Sequence, residues 1–277
     1  MSTLVRPEEG ITFCGNDVVE IAYSGTELGN TASRFESYPG EADANLARLR
    51  SAVGIGRHTL ILAKQLPNFE DLTVVPLSAV QPEYRTDGIF TASSDVVISL
   101  RPADCLNMVY YSATGEPLLG LIHGGRRGID GDIHLKAVDF MLDHGIAREA
   151  IRIFSGPAIS AESYYFDSID STQLADPRWS PYITYFEHDE HPEHKGHGGD
   201  ESKWCYHVDL LGRVRADLTE VDPDLEDGVS VLQPSQLQTT EIDTGADLAY
   251  YSHARSDRAT PKGLGEGRNG IVVKLRQ

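Results

Sequence analysis

The sequence predicts an α/β fold built on a mixed β-sheet rather than a doubly wound parallel one. Two observations carry this: short runs rich in Val, Ile, Leu or Tyr recur along the chain, and the helical patterns between them do not alternate with the strands regularly. In chain order, Leu46, Leu49 and Val53 mark one face of a helix over 41–53, and residues 72–77 form the first apolar run. Runs at 96–100, 108–111 and 117–122 follow as three further strands. A helix over 132–144 places Ile133, Ala137, Phe140 and Met141 on one face, with Asp132 able to cap its start and Gly145 its end. A strand at 151–154 precedes a helix at 210–218, marked by Leu210, Leu211, Val214 and Leu218, and strands at 229–232 and 271–275 close the chain.

Composition narrows the class. Among 277 residues, 24 basic side chains face 42 acidic ones, a net charge of −18 that excludes non-specific nucleic-acid binding. The hydrophobic share of 40% suits a globular chain with a substantial core. No stretch approaches the roughly 18 consecutive apolar residues of a spanning helix, and the first thirty residues lack a basic flank followed by an apolar core. The three cysteines, Cys14, Cys105 and Cys205, are too few and too far apart for a disulfide framework, so a reducing, cytoplasmic setting without membrane attachment is expected. No linker or internal repeat divides the chain. One domain over 1–277 is expected, with a polar, His-rich loop at 187–203 and a Gly-rich loop at 263–270.

The most informative segment runs from the strand at 117–122 into His123, Gly124, Gly125, Arg126, Arg127 and Gly128, and then toward the helix near Asp132. Glycines let backbone N–H groups approach a ligand, arginines supply forked donors, and a helix start favours an anion, so Gly124, Gly125, Arg127 and Gly128 are candidate phosphate-binding residues. A tight turn with solvent-facing arginines is the alternative. Upstream, Asp104 and Cys105 lie between two strands. Cys105 reads as a thiolate nucleophile, a soft metal ligand or a small buried hydrophobe. His123 follows one strand later, so adjacent strands can bring the two to one sheet edge as a zinc or Cys–His site.

These motifs resemble the YfiH-type laccase-domain family, known both as multicopper polyphenol oxidoreductases and as purine nucleoside phosphorylases. The resemblance rests on Ala103-Asp104-Cys105, on His123 through Gly128, on Gly156-Pro157-Ala158-Ile159, on Val208-Asp209-Leu210, on Tyr251 through Arg255, and on Gly267-Arg268. It implies a mixed β-sheet sandwich flanked by helices and a zinc site of two His and one Cys. It further implies phosphorolysis or deamination of purine nucleosides, with a purine nucleoside and phosphate as partners. Cys105 and His123 match two ligands and are the expected metal residues. With Asp104 and Arg127 they form the expected catalytic set. The first ligand departs from the pattern: the aligned segment reads Gln65-Leu66-Pro67, and Pro67 offers no donor where a His is expected. His58 is seven residues before Gln65 and cannot replace it without a shift of register, and Ser163 stands nearest to a further Cys of the pattern.

His188, His191, His194 and His197 recur every third residue, with Cys205 and His207 shortly after. This tract reads either as a solvated loop or as a donor of the missing imidazole to Zn, Ni or Cu. Two alternatives to the enzyme remain: a catalytically silent relative that binds a nucleoside or a protein, and a copper-dependent polyphenol oxidoreductase. The second needs more His ligands than the chain carries outside this loop.

Overall fold

The computed structural model describes residues 2–6, 10–35, 37–52, 59–64, 72–74, 83–166, 169, 171–187, 204–220, 231–240, 242–258 and 266–276. Among them, a mixed α/β architecture is laid out in three sheets. The first has the order β1 (Ser2–Arg6), β2 (Ile11–Gly15), β3 (Val19–Ser24), β16 (Ile271–Leu275), β8 (Val96–Leu100), β4 (Thr59–Lys64) and β6 (Glu83–Arg85). The second runs β15 (Leu237–Thr239), β11 (Ile151–Ser155), β9 (Leu106–Ser112), β10 (Leu119–Gly124), β7 (Gly88–Thr91) and β5 (Leu72–Val74). A small third sheet pairs β12 (Tyr165–Phe166), β14 (Trp204–Val208) and β13 (Ile183–Glu187). Parallel pairs at β4–β6, β4–β8, β5–β7 and β11–β15 sit among antiparallel ones, so the sheets are mixed.

Strand alternation assigns each side chain to a layer. In β8, Val96, Ile98 and Leu100 join Val109 and Tyr111 of β9 and Leu119 and Leu121 of β10 in one core between the two large sheets. Val97 and Val272 point the other way, onto Leu46 and Leu49 of α1 (Glu41–Ala52). Leu106, Met108 and Tyr110 of β9 and Ile122 of β10 pack with α2 (Arg126–Asp130), α3 (Ile133–Asp143) and α5 (Leu210–Thr219) on the far face of the second sheet. Both large sheets are therefore covered on both faces, which is why their strands read as unbroken apolar runs rather than alternating ones. Short helices α4 (Ser171–Ala175) and α6 (His253–Arg258) and four single 3₁₀ turns complete the described elements. No helix among the described residues is long and apolar enough to cross a membrane.

Several boundaries differ from the sequence reading. The strand at 117–122 is displaced to 119–124, so His123 and Gly124 lie inside the ladder rather than in the turn. The turn does not lead directly to the helix near Asp132, because α2 intervenes. Asp132 holds the N-cap position of α3 with a left-handed φ of 60° and makes no side-chain cap; its carboxylate is taken by the Arg178 guanidinium. Gly145 ends α3 as expected: at φ +78° its N–H meets Leu142 O at 2.9 Å while Ile146 N–H reaches Met141 O at 3.0 Å, the paired bonds of a Schellman turn. Val231 and Leu232 form a bend, not a strand, and residues 229–230 lie outside the described residues. So do 53 and 75–77, and so do His58, Pro67 and the histidines of the 188–197 tract.

Candidate functional site

The β9–β10 ladder pairs Asn107 with His123 and Leu106 with Gly124. Cys105, one residue before Leu106, thereby arrives at the end of the sheet where β10 gives way to Gly125. The two side chains meet there. A Cβ added at Gly125 would lie 3.4 Å from both Cys105 Sγ and His123 Nε2, and the two side chains interact electrostatically. Gly125 has an ordinary extended φ of −74°, so backbone strain does not call for glycine here, but a Cβ would crowd the imidazole, 3.1 Å from His123 Cε1. Gly124 is glycine for a related reason: a Cβ there would meet Met108 Cε at 2.8 Å and Leu106 Cβ at 3.1 Å.

Behind the imidazole stands Asp87, which has no counterpart in the motifs read from sequence. His123 N–H donates to Asp87 O at 2.7 Å, and Asp87 Oδ1 lies 3.3 Å from His123 Nδ1, with both side chains buried. Nδ1 thus faces a carboxylate and Nε2 faces the Cys105 side, the arrangement that fixes the tautomer of a catalytic or metal-ligating histidine. Burial pushes the His123 imidazole down, but the charge of Cys105 and the side-chain hydrogen bond and charge of Asp87 outweigh it, and its pKa is raised to about 9. Tyr164 completes the neighbourhood. Burial first, and then the charge of Cys105, push its hydroxyl up to about 12, with Arg126 pulling the other way.

The other expected residues have distinct placements. The Asp104 carboxylate accepts from Thr244 Oγ1 at 2.9 Å and from the backbone N–H of Ala254 at 2.7 Å, tying two distant loops to the site. Arg127 is exposed on α2, whereas the guanidinium of Arg126 lies 5.1 Å from the Phe166 ring centre and acts on Tyr164. Gly128 sits within α2 against His123 O. Arg268 joins the same end of the sheets: its neighbour Asn269 donates its N–H to Pro102 O at 2.9 Å, and its guanidinium stacks on Phe35 and bonds Glu266. Ser163 donates to Asp243 Oδ2 at 2.6 Å. His207 is buried, with Nδ1 2.8 Å from Ala161 O.

As metal ligands, Cys105 and His123 fit two positions of a zinc site, a soft thiolate and an imidazole backed by a carboxylate. Among the described residues, only Asp132, His134 and Asp217 bring three potential ligand atoms within 4.8 Å of one another. That trio is already compensated: Asp217 accepts from Arg213 Nε at 2.7 Å and lies 2.9 Å from His134 Nε2, and Asp132 is bound by Arg178. Two guanidiniums at the same oxygens compete directly with a cation, so this trio reads as an ion-pair network joining α3 to α5.

The chain is similar to known proteins along most of its length. Over residues 17–275 it matches the family model described as multi-copper polyphenol oxidoreductase laccase. A purine nucleoside phosphorylase of Mycobacterium tuberculosis is 27% identical over 127 residues, covering 46% of this chain and 50% of that protein. The purine nucleoside phosphorylase YlmD of Geobacillus stearothermophilus is 35% identical over 99 residues, covering 34% of this chain and 35% of YlmD. The sequence matches thus span half or less of these relatives. The crystal structure of YlmD superposes with a TM-score of 0.71 at 19% identity over 99% of this chain and 98% of YlmD. YfiH of Bacillus licheniformis gives 0.67 at 19% identity over 99% of this chain and 97% of its own. The two structures share the fold, and the match over nearly the whole length places this chain in the multi-copper polyphenol oxidoreductase laccase family, the family of YfiH-like proteins.

Proposed function

We propose that the chain is an enzyme that cleaves purine nucleosides such as adenosine or inosine with phosphate, and that Cys105 and His123 stand at its reacting centre. The observation that carries this reading is the meeting of thiol and imidazole at one sheet end with Asp87 behind the imidazole. The relatives named purine nucleoside phosphorylase support the substrate class.

In phosphorolysis a phosphate oxygen bonds to C1′ as the bond from C1′ to the purine breaks. The purine leaves with the electron pair and takes up a proton. Fixed polar groups in a buried site stabilise that departing charge without reorganising, and His123, held at Nδ1 by Asp87, is such a group. Phosphate is held where Gly124, at the end of β10, passes through Gly125 into α2 and Gly128, with Arg126 toward Tyr164 and Arg127 at the exposed rim. Asp104 is a positioning residue that anchors Thr244 and Ala254. Zinc held by Cys105 and His123 would supply a Lewis acid at the same place.

The test is phosphate-dependent release of base from inosine and adenosine by the purified protein, with its metal content measured alongside. Cleavage is expected to require phosphate and to vanish in Cys105→Ala, and Arg127→Ala is expected to raise the phosphate KM with the fold intact. An unchanged phosphate KM in that variant would remove Arg127 from the mechanism. Absence of cleavage by zinc-loaded protein would favour a silent binding relative, the reading for which Pro67 speaks. Copper-dependent phenol oxidation has less support, because among the described residues Cys105 and His123 share no third ligand at metal distance.

A further inference from the structure

Tyr164 stands at the end of the second sheet where Cys105 and His123 meet, on a loop that the backbone fixes there. Two bonds tie that loop across the start of β9: Ile159 N–H donates to Asp104 O at 2.9 Å, and Asn107 Nδ2 donates to Pro157 O at 2.8 Å. The chain then turns, with Tyr164 N–H donating to Ser160 O at 3.0 Å, and is held to the third sheet by Val208 N–H donating to Tyr164 O at 2.9 Å. Both backbone groups of Tyr164 are thereby engaged. Its ring meets the Phe166 ring edge-on, with centres 4.8 Å apart, and packs against the core under α2, α3 and α5.

The hydroxyl is in a different condition from the ring. The charges that act on it are those of Cys105, Arg126 and Asp104, residues of the two segments that flank the sheet end at Gly125. Among the described residues it hydrogen-bonds to no other group, and it is not one of the buried polar atoms closed off from solvent. A phenol is neutral at physiological pH and donates one hydrogen bond. The corner therefore offers a ligand a fixed, neutral O–H donor beside the thiol. In cleavage of a purine nucleoside, the electron pair released from the C1′–N9 bond spreads to N7, the other nitrogen of the same five-membered ring. N7 lies on the edge of the base away from the sugar, where a donor can reach it.

We infer that Tyr164 is a further catalytic residue, its hydroxyl donating a hydrogen bond to N7 of the departing purine. The inference rests on the nucleoside reading and adds a residue and a role to it. The step balances without another reagent: an oxygen of hydrogen phosphate bonds to C1′, the C1′–N9 bond breaks with its pair going to the purine, and the proton of the hydrogen phosphate passes to the purine. Tyr164 keeps its own proton. A donor held in place before the reaction stabilises the charge as it develops, and the two backbone bonds and the Phe166 contact hold this one.

The test compares inosine with 7-methylinosine, in the native full chain and in Tyr164→Phe, at saturating phosphate. Methylation blocks N7 and places a positive charge on the base, so the methylated purine leaves neutral and takes no hydrogen bond there. Tyr164→Phe keeps the ring that packs on Phe166 and removes only the hydroxyl. The variant's kcat for inosine is expected to fall roughly 100-fold, the order of loss when one fixed donor at a developing charge is removed. Cleavage of 7-methylinosine should proceed at about the native rate, with phosphate KM and Tm unchanged. A native kcat for inosine in the variant would overturn the inference, and so would an equal loss with both nucleosides, which would make Tyr164 a support of the fold. A native chain that cleaves neither nucleoside would overturn the nucleoside reading and this inference with it, a result distinct from the other two.

Discussion

Asp87 and His123 are joined twice, once through the backbone, His123 N–H to Asp87 O at 2.7 Å, and once through the side chains, Asp87 Oδ1 to His123 Nδ1 at 3.3 Å. The first bond places the carboxylate and the second uses it. Asp87→Asn keeps the shape and removes the charge, and is expected to lower kcat/KM for nucleoside cleavage about 10–100-fold, the usual cost of losing a carboxylate behind a functional histidine. The phosphate KM should stay unchanged. Native kinetics in Asp87→Asn would show that the carboxylate serves the fold alone.

Gly125→Ala adds a methyl 3.1 Å from His123 Cε1 and 3.4 Å from Cys105 Sγ. The backbone at Gly125 accepts any residue, so the effect should fall on the pair and not on folding. We expect cleavage to drop at least tenfold with a Tm within a few degrees of the native chain. A variant that loses stability and retains its kcat would contradict this assignment.

The zinc site should be incomplete. Cys105 and His123 supply two ligands and Pro67 supplies none, so zinc should be held more weakly than at a complete three-ligand site, with the Cys105 proton competing for the thiolate. Protein dialysed against a chelator is expected to emerge largely free of metal, and Pro67→His should raise the zinc retained. If the His-rich tract donates a ligand, deleting residues 188–197 should release metal that the native chain keeps. Stoichiometric zinc that survives both the chelator and the deletion would show that the first ligand lies elsewhere in the sequence.

Acid should loosen the join between α3 and α5. Burial works to raise the Asp217 carboxyl, but hydrogen bonds from His134 and Arg213 prevail and hold it below the ordinary carboxylate value. A depressed folded-state pKa means that its contribution is complete above the unfolded-state value, near 4, and is lost as pH falls through the folded value. Asp217→Ala leaves Arg213, 1% exposed, without this ion-pair partner, and should cost roughly 3–5 kcal/mol at neutral pH. The deficit relative to the native chain should shrink in denaturant titrations run below pH 4. A deficit that stays constant with pH would place its origin in packing.

Much of the scaffold was legible because burial on both faces writes strands as continuous apolar runs. The segments around Ile98, Val109, Leu121 and Val273 show this, and the 3.6-residue spacing of Leu46 and Leu49, or of Ile133, Ala137 and Met141, marks the helices that cover them. The local pattern also located Cys105 and His123 at the same end of neighbouring strands. It missed β1 to β4, β6, β7 and β15 in the two large sheets, and the strands of the third sheet, where exposed aromatics such as Tyr185 leave little periodic signal.

What the sequence determined by itself was the set of local conformations, together with the residue types available for chemistry at Asp104, Cys105 and His123. Only the tertiary structure decided which groups face one another. It set Asp87 behind His123, turned Arg126 toward Tyr164 while leaving Arg127 at the surface, and committed the Asp104 carboxylate to Thr244 and Ala254, 140 and 150 residues away. The physical reason is that strand and helix signals are local, repeating over a few residues. A hydrogen bond between distant segments leaves no periodic trace, since any acid brought there by the chain's path would serve.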